Sequence, residues 1–206
     1  MTIVGFKPVN HPQQIAARGG VACDDTDDRR TKPDVFAPWN ARYRFTLDAA
    51  ANADNAKCAA FYSRENSGLT NPWSGRVWCN PPFSNLRAWV EKADRETREG
   101  RADVVCMLLP ANRCEQRWWQ MFIEPYRDRE PRGGVRVKTT FLAGRIRFDR
   151  PSWIAPAKGD RPPFGCVVVT WERIDGEVWT HDHIAQVFTD DNTERAASEY
   201  IPGPED

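Results

Sequence analysis

Histidine is scarce in this chain. Three residues, His11, His181 and His183, are all that 206 positions hold. Six cysteines (Cys23, Cys58, Cys79, Cys106, Cys114, Cys166) form no C-x-x-C pair, and no histidine cluster accompanies them. A bound metal is therefore not expected. Cys79, Cys106 and Cys166 lie inside apolar runs and read as small buried hydrophobes. The N-terminus lacks an apolar core segment and no run is long enough to span a bilayer, so neither signal peptide nor membrane helix is expected. That implies a reduced, cytoplasmic protein. No charge of one sign dominates either: Lys+Arg and Asp+Glu both number 29. Global electrostatics make no case for nucleic acid. No repeat and no second-domain boundary is visible, and 206 residues suffice for one domain with a sizeable core.

What is present is unevenly placed. Residues 113–150 carry Arg113, Arg117, Arg127, Arg129, Arg132, Arg136, Lys138, Arg145, Arg147 and Arg150 against half as many acids, whereas the chain beyond Trp171 is acidic. A basic middle in a neutral chain suits a local phosphate-binding face, or a set of solvated arginines. Three regions follow: a polar N-terminal arm over 1–30, a folded domain over 31–189, and an acidic tail over 190–206.

The domain alternates strand and helix patterns. A short helix is expected from Asp34, with Pro38 limiting its length. Phe45-Thr46-Leu47 reads as a strand ending at Asp48, and Phe61-Tyr62 as a second. Arg76 to Cys79 forms a third. Ser84 is a plausible N-cap for a helix whose Leu86, Trp89, Val90 and Ala93 share one apolar face. Gly100 suits its C-terminus. Val104 to Leu109 is a continuous apolar run, as in a central strand buried on both faces. A helix over Arg113–Ile123 follows, then a polar loop over 124–134. Strands over 135–142 and 146–148 flank a turn at Gly144. A proline-rich loop over 150–163 leads to a strand from Gly165 to Trp171, with Val178-Trp179 as a possible partner. The pattern is that of an open α/β sheet. In such sheets ligands bind beyond the carboxyl ends of the strands, where Asp48 and Asn80 fall.

Asn80-Pro81-Pro82-Phe83 follows directly on the third strand. Two prolines fix the backbone and remove two N–H donors, leaving carbonyl oxygens able to accept from a ligand. The Asn80 amide offers another acceptor, and the Phe83 ring offers a planar base a surface to stack on. Together they suit a grip on an exocyclic –NH2 of a flat heterocycle. A proline-rich turn with a buried Phe is the plain structural alternative.

Several pieces, in order, resemble the phage-type DNA N6-adenine methyltransferases (Dam-like). They are Thr31, Phe45-Thr46-Leu47-Asp48-Ala49-Ala50-Ala51, Asn55-Ala56-Lys57-Cys58, Gly68-Leu69, Trp73, Asn80-Pro81-Pro82-Phe83-Ser84, Trp89-Val90, Leu109-Pro110, Gly144-Arg145-Ile146-Arg147-Phe148 and Pro163-Phe164-Gly165. The resemblance runs from about Thr31 to Trp171. It implies a Rossmann-like class I S-adenosylmethionine-dependent methyltransferase sheet with helices on both faces. It places Thr31, Asp48, Ala49, Ala50, Asn66 and Leu69 at the cofactor, with the Asp48 carboxylate taking the ammonium of the methionine part and Asn66 accepting from the adenine amino group. This chain departs from the wider pattern in two places. Residues 48–60 contain no Gly-x-Gly, and Lys32 separates Thr31 from Pro33.

The resemblance further implies methyl transfer from S-adenosylmethionine to adenine N6 in double-stranded DNA, with the base flipped out of the duplex. Phe83 would stack on the ring while Asn80 and the Pro81 carbonyl accept the amino hydrogens. Arg113, Lys138, Arg145 and Arg147 are the candidate DNA contacts, and loops 124–134 and 150–163 the candidate reading elements. Protection of a phage or mobile element from restriction is the implied purpose. Cytosine N4 (where Ser more often stands at position 80), rRNA guanine N2, protein glutamine, and a non-catalytic DNA-binding relative remain alternatives.

Overall fold

The computed structural model describes residues 29–149, 162 and 164–174. Most of the expected N-terminal arm, the proline-rich loop, the Val178-Trp179 strand and the acidic tail lie outside the described residues. The elements are β1 (Arg30–Thr31), α1 (Pro33–Tyr43), β2 (Leu47–Asp48), β3 (Ala60–Phe61), β4 (Gly75–Cys79), α2 (Leu86–Arg98), β5 (Ala102–Pro110), α3 (Arg117–Phe122), β6 (Val135–Phe141), β7 (Phe148–Asp149) and β8 (Cys166–Arg173). No helix among the described residues is long and apolar enough to cross a membrane.

Six strands form one sheet in the order β3-β2-β4-β5-β8-β6, and β1 pairs with β7 in a separate ribbon. β3, β2, β4 and β5 run parallel, while β8 is antiparallel to both β5 and β6. The apolar run of β5 shows why it is central. Val105, Met107 and Leu109 enter one core cluster, and Val104, Cys106 and Leu108 the other. A strand buried on both faces cannot alternate with polar residues. Trp89, Val90 and Ala93 of α2 and Trp118, Trp119 and Phe122 of α3 cover the first face. Phe36 and Tyr43 of α1 cover the second. Helices thus lie on both faces of a Rossmann-like α/β sheet, as expected.

The chain leaves β2, adds β3 on one side, then returns to lay β4 on the other. This reversal is a topological switch point, where the connections diverge and open a crevice beyond the strand ends. Asp48 pairs with Trp78, so Asn80 emerges from the strand beside Asp48.

Several local expectations are corrected. Helix α1 continues through Pro38 to Tyr43, giving up one backbone donor while burying Phe36 and Tyr43. Ser84 is not an N-cap: Phe83–Asn85 form a 3-10 turn, with Asn85 N–H on the Pro82 carbonyl at 3.4 Å, and α2 starts at Leu86. Helix α3 spans only Arg117–Phe122, because Gln116 is extended and Arg113–Gln116 form a turn. Residues 135–149 make no hairpin around Gly144. β6 pairs with β8, whose Val167, Val169 and Trp171 share its apolar face, and β7 starts at Phe148 and pairs with β1. Arg145 and Arg147 therefore both precede a strand, which starts two residues later than the expected 146.

Candidate active site

A cavity of about 770 Å³ opens at the switch point. Of the expected site residues, Thr31, Asp48, Ala49, Ala50, Leu69, Asn80 and Pro82 line it. Its volume lies within the roughly 300–1,000 Å³ usual for small-molecule and cofactor sites.

One wall is the loop after β2. Asp48 is 3% exposed, and its side chain organises the loop. Oδ1 accepts from the Ala50 N–H at 3.3 Å and Oδ2 from the Lys57 N–H at 3.0 Å. Asn52 and Asn55 close the turn between: Oδ1 of Asn52 accepts from the Asp54 N–H at 3.0 Å, and Oδ1 of Asn55 from the Asn52 N–H at 2.8 Å. These side-chain turns replace the missing glycines, and no residue of 48–57 needs positive φ. The required glycine comes from elsewhere. A Cβ on Gly68 would stand 2.2 Å from the Ala49 carbonyl oxygen. Only glycine lets the 66–69 loop press so closely on the 48–50 loop. The Gly68 carbonyl is fixed in turn by the Trp73 indole N–H at 2.7 Å.

Burial pushes the Asp48 carboxyl up to about 6, against the lowering effect of the Lys57 and Ala50 N–H groups and the Lys57 charge. Each oxygen keeps a lone pair beyond the bond it already accepts. A carboxylate this buried, with neutral donors as its direct partners, gains by meeting a cation.

The opposite wall carries Asn80. Its Nδ2 donates to the Arg29 carbonyl, which fixes the amide, since the reverse orientation would set two oxygens against each other. Its Oδ1 is buried and accepts no hydrogen bond among the described residues. The Thr31 Oγ1, on the same cavity, is likewise buried and has no partner among them. Leaving such a group unsatisfied costs about 1–3 kcal/mol. Both atoms face one cavity, where a bound ligand would supply the missing partner.

Not every expected residue joins them. Pro81 is buried away from the cavity. Phe83 sits beside it in an aromatic group, edge-on to Phe148 with centroids 6.1 Å apart and 5.9 Å from Phe164. Asn66 is exposed and off the cavity, and its Oδ1 already accepts from the Asn71 amide at 2.8 Å. Its expected part at the cofactor's adenine is not supported by this geometry. Arg29, Lys57, Tyr62 and Trp78 line the cavity but escaped the sequence reading. Tyr62 follows β3, so the strand-end rule that selected Asp48 and Asn80 would have reached it too.

The basic candidates divide. β6 runs parallel to β5, because both are antiparallel to β8. Arg113 after β5, and Arg145 and Arg147 after β6, are therefore exposed at the cavity end of the sheet. Lys138 is half-buried in mid-strand, opposite Thr170 on the edge furthest from β3. Loop 124–134 feeds the start of β6, at the end remote from the cavity. Its Arg132 carbonyl holds Arg98 at 3.0 Å. Neither Lys138 nor that loop is brought to the site.

An open α/β sheet with its crevice at the switch point, walled by an acidic loop and an amide-diproline corner, defines a Rossmann-like protein with a cavity of small-molecule or cofactor size. The profile of the DNA N-6-adenine-methyltransferase (Dam) family matches residues 21–160, and the chain belongs to that family. It is 38% identical over 85 residues to a DNA N-6-adenine-methyltransferase of Escherichia phage T1, covering 40% of this chain and 35% of that one. It is 34% identical over 74 residues to a protein of the same name from Haemophilus phage HP1, covering 35% and 43%. The matched stretches thus span less than half of these relatives. Among solved structures, the 23S rRNA methyltransferase ErmE aligns at TM-score 0.42 and 11% identity, over 86% of this chain and 74% of that one.

Proposed function

We propose that this protein transfers a methyl group from S-adenosylmethionine to N6 of adenine in DNA. The observation that carries the reading is the buried, unpartnered Asn80 Oδ1 on the switch-point cavity. An adenine amino group is the kind of donor that this acceptor lacks.

S-adenosylmethionine, when bound, supplies an electrophilic methyl group on a sulfonium. The residues present fit it. The Asp48 carboxylate suits its ammonium. The Thr31 hydroxyl offers a donor and acceptor, and the alanines at 49 and 50 keep the loop wall low. The target base, out of its stack, lies against Phe83. Asn80 Oδ1 accepts one amino hydrogen, which helps turn the nitrogen lone pair toward the methyl donor; Pro81, buried away from the cavity, fixes the corner that carries Asn80. A cofactor bound there would supply the methyl group in exchange for its C–S bond, and with no side-chain base held to Asn80 among the described residues the nitrogen's surplus proton would pass to solvent. Catalysis is then positioning and electrostatics, with no side-chain base needed. Arg113, Arg145 and Arg147 take the phosphate backbone on the cavity side. Shielding phage or mobile-element DNA from restriction is the purpose this activity would serve.

The test is incubation with methyl-labelled cofactor and DNA, RNA or protein, followed by nucleoside analysis. Label is expected in N6-methyladenine. Label in cytosine, guanine or glutamine would replace the reading with another nitrogen acceptor. Asn80→Ala should lower turnover at least about 100-fold while cofactor affinity stays within about twofold. Retained turnover would refute the assignment.

A further inference from the structure

The loop after β2 brings two opposite charges to the cavity. Asp48 opens it, Lys57 closes it, and both line the cavity. The main chain ties them, since the Lys57 N–H donates to Asp48 Oδ2 at 3.0 Å. The two side chains do not form a contact ion pair. The Lys57 charge is near enough to lower the Asp48 carboxyl, yet the residue is only half-buried, and its ammonium has no hydrogen-bond or ion-pair partner among the described residues. The other cations on this cavity are drawn elsewhere. Arg29 lies over the Phe83 and Phe164 rings, Arg30 reaches Asp54 at 3.9 Å, and the Arg64 charge acts on Glu65. The main-chain donors of the loop are also taken. The N–H groups of Ala49, Ala50, Ala51 and Asn52 go to the Trp78 carbonyl, Asp48 Oδ1, the Tyr62 carbonyl and Asn55 Oδ1.

We propose that Asp48 and Lys57 together read the amino-acid end of the cofactor, Asp48 its ammonium and Lys57 its carboxylate, so that the cavity rejects adenosyl compounds lacking that carboxylate. The inference rests on the reading of this cavity as the S-adenosylmethionine site. The need for a second receptor is electrostatic. An amino acid carries both charges on one carbon, so an ammonium that meets Asp48 brings a carboxylate with it. Two carboxylates that close repel each other, and more strongly at a buried site. With the neighbouring N–H groups already spent, the loop cannot quiet that repulsion through its main chain. Lys57 supplies the missing cation from the same loop. The pair and the ligand end are each neutral overall, so binding buries no net charge.

The experiment is calorimetric titration of the full chain with three ligands: S-adenosylmethionine, its decarboxylated analogue, which keeps the ammonium, and 5′-methylthioadenosine, which has neither charge. The parent should prefer S-adenosylmethionine to the decarboxylated form at least about tenfold. In Lys57→Met that preference should fall to within about twofold, while 5′-methylthioadenosine binds as it does to the parent and reports an intact cavity. Lys57→Arg, which keeps the charge, should retain most of the preference, and Arg64→Met all of it. If Lys57→Met binds 5′-methylthioadenosine poorly, Lys57→Gln, which keeps a polar side chain in the loop, decides by the same ratio. A parent without the preference, a neutral Lys57 variant that keeps it, or an Arg64→Met that loses it overturns the proposal and leaves the cavity as the cofactor site. If the parent binds none of the three ligands, the cofactor reading fails and the proposal with it.

Discussion

Asp48 and Glu96 are about equally hidden, at 3% and 1% exposure, yet their carboxyls end up shifted in opposite directions. Asp48 sits at the cavity and is raised to about 6. Glu96 lies on α2 behind the sheet. Burial pushes it up as well, but hydrogen bonds from Arg101 and Lys92, and their charges, more than offset this and hold it below its ordinary value. Lys92 reaches Glu96 at 2.6 Å, Arg101 holds its other oxygen, and the Trp73 N–H donates to that oxygen at 3.3 Å. One carboxylate has its cations within the fold. The other has backbone amides and an open cavity. Of these two carboxylates, the one remote from the cavity is compensated within the fold and the one at the cavity is left short of a contacting cation.

The comparison breaks most sharply at Glu96. Removing one partner of a buried network strands the others without water or counter-charge. Glu96→Ala leaves Lys92, 6% exposed, without its carboxylate and unties Trp73 from α2. Denaturant unfolding should show a loss of about 3–5 kcal/mol. Cofactor affinity of the fraction still folded should be unchanged, since Glu96 does not line the cavity. A loss below about 1 kcal/mol would mean that the network contributes little and that the two sites do not differ as described.

Asp48→Asn should do the reverse. The folded value, about 6, lies above the unfolded 3.8. The proton is bound more tightly in the folded state, so the group costs nothing below 3.8, a deficit builds as pH rises from 3.8 to 6, and it is complete above 6. A shift near two units corresponds to roughly 3 kcal/mol, less about 1 for the hydrogen bond that Asn cannot accept. At pH 8 the variant should gain about 2 kcal/mol, and the gain should vanish near pH 4. The parent's affinity for S-adenosylmethionine should fall up to about tenfold per pH unit below 6, and the variant's should be weak and flat. A variant that binds as well as the parent would remove Asp48 from the cofactor. Glu96, held below its ordinary value, contributes above that range and loses its contribution on acidification, so acid weakens one site while relieving the other.

How far this was visible in the sequence depends on the range of each interaction. The six-residue apolar run of β5 announces its own burial. Asp48 and Asn80 could be placed because each follows a strand, and the sheet rule then puts them together. Non-local pairing was hidden. Arg30–Thr31 and Phe148–Asp149 are too short to carry a period, and they meet across more than a hundred positions of chain. The Arg29–Phe83 contact follows from that pairing and left no local trace. Gly144 has the positive φ of a turn, but a turn does not say which strands it joins, and the valines of β8 won β6. Asn66 lies on the far side of a turn that its own sequence does not orient: it is exposed and does not line the cavity, while Ser67 and Leu69 of the same loop do.

The finest point of the comparison is Gly68, where the cavity loop depends on an absent side chain. Trp73 links the two regions, with its backbone N–H on Glu96 and its indole on the Gly68 carbonyl. Gly68→Ala would drive a methyl group into the Ala49 carbonyl, with Trp89 3.2 Å away on the other side. The two loops must part, at a cost of about 1–3 kcal/mol. That displacement moves Ala49 and Ala50, whose N–H groups tie the loop to Trp78 and Asp48, so cofactor affinity should fall several-fold while the Glu96 network is left in place. Calorimetric titration with S-adenosylmethionine beside thermal unfolding separates the two effects. Lowered stability with intact affinity would mean that the loop adapts, and that the narrow approach at Gly68 serves packing rather than the ligand.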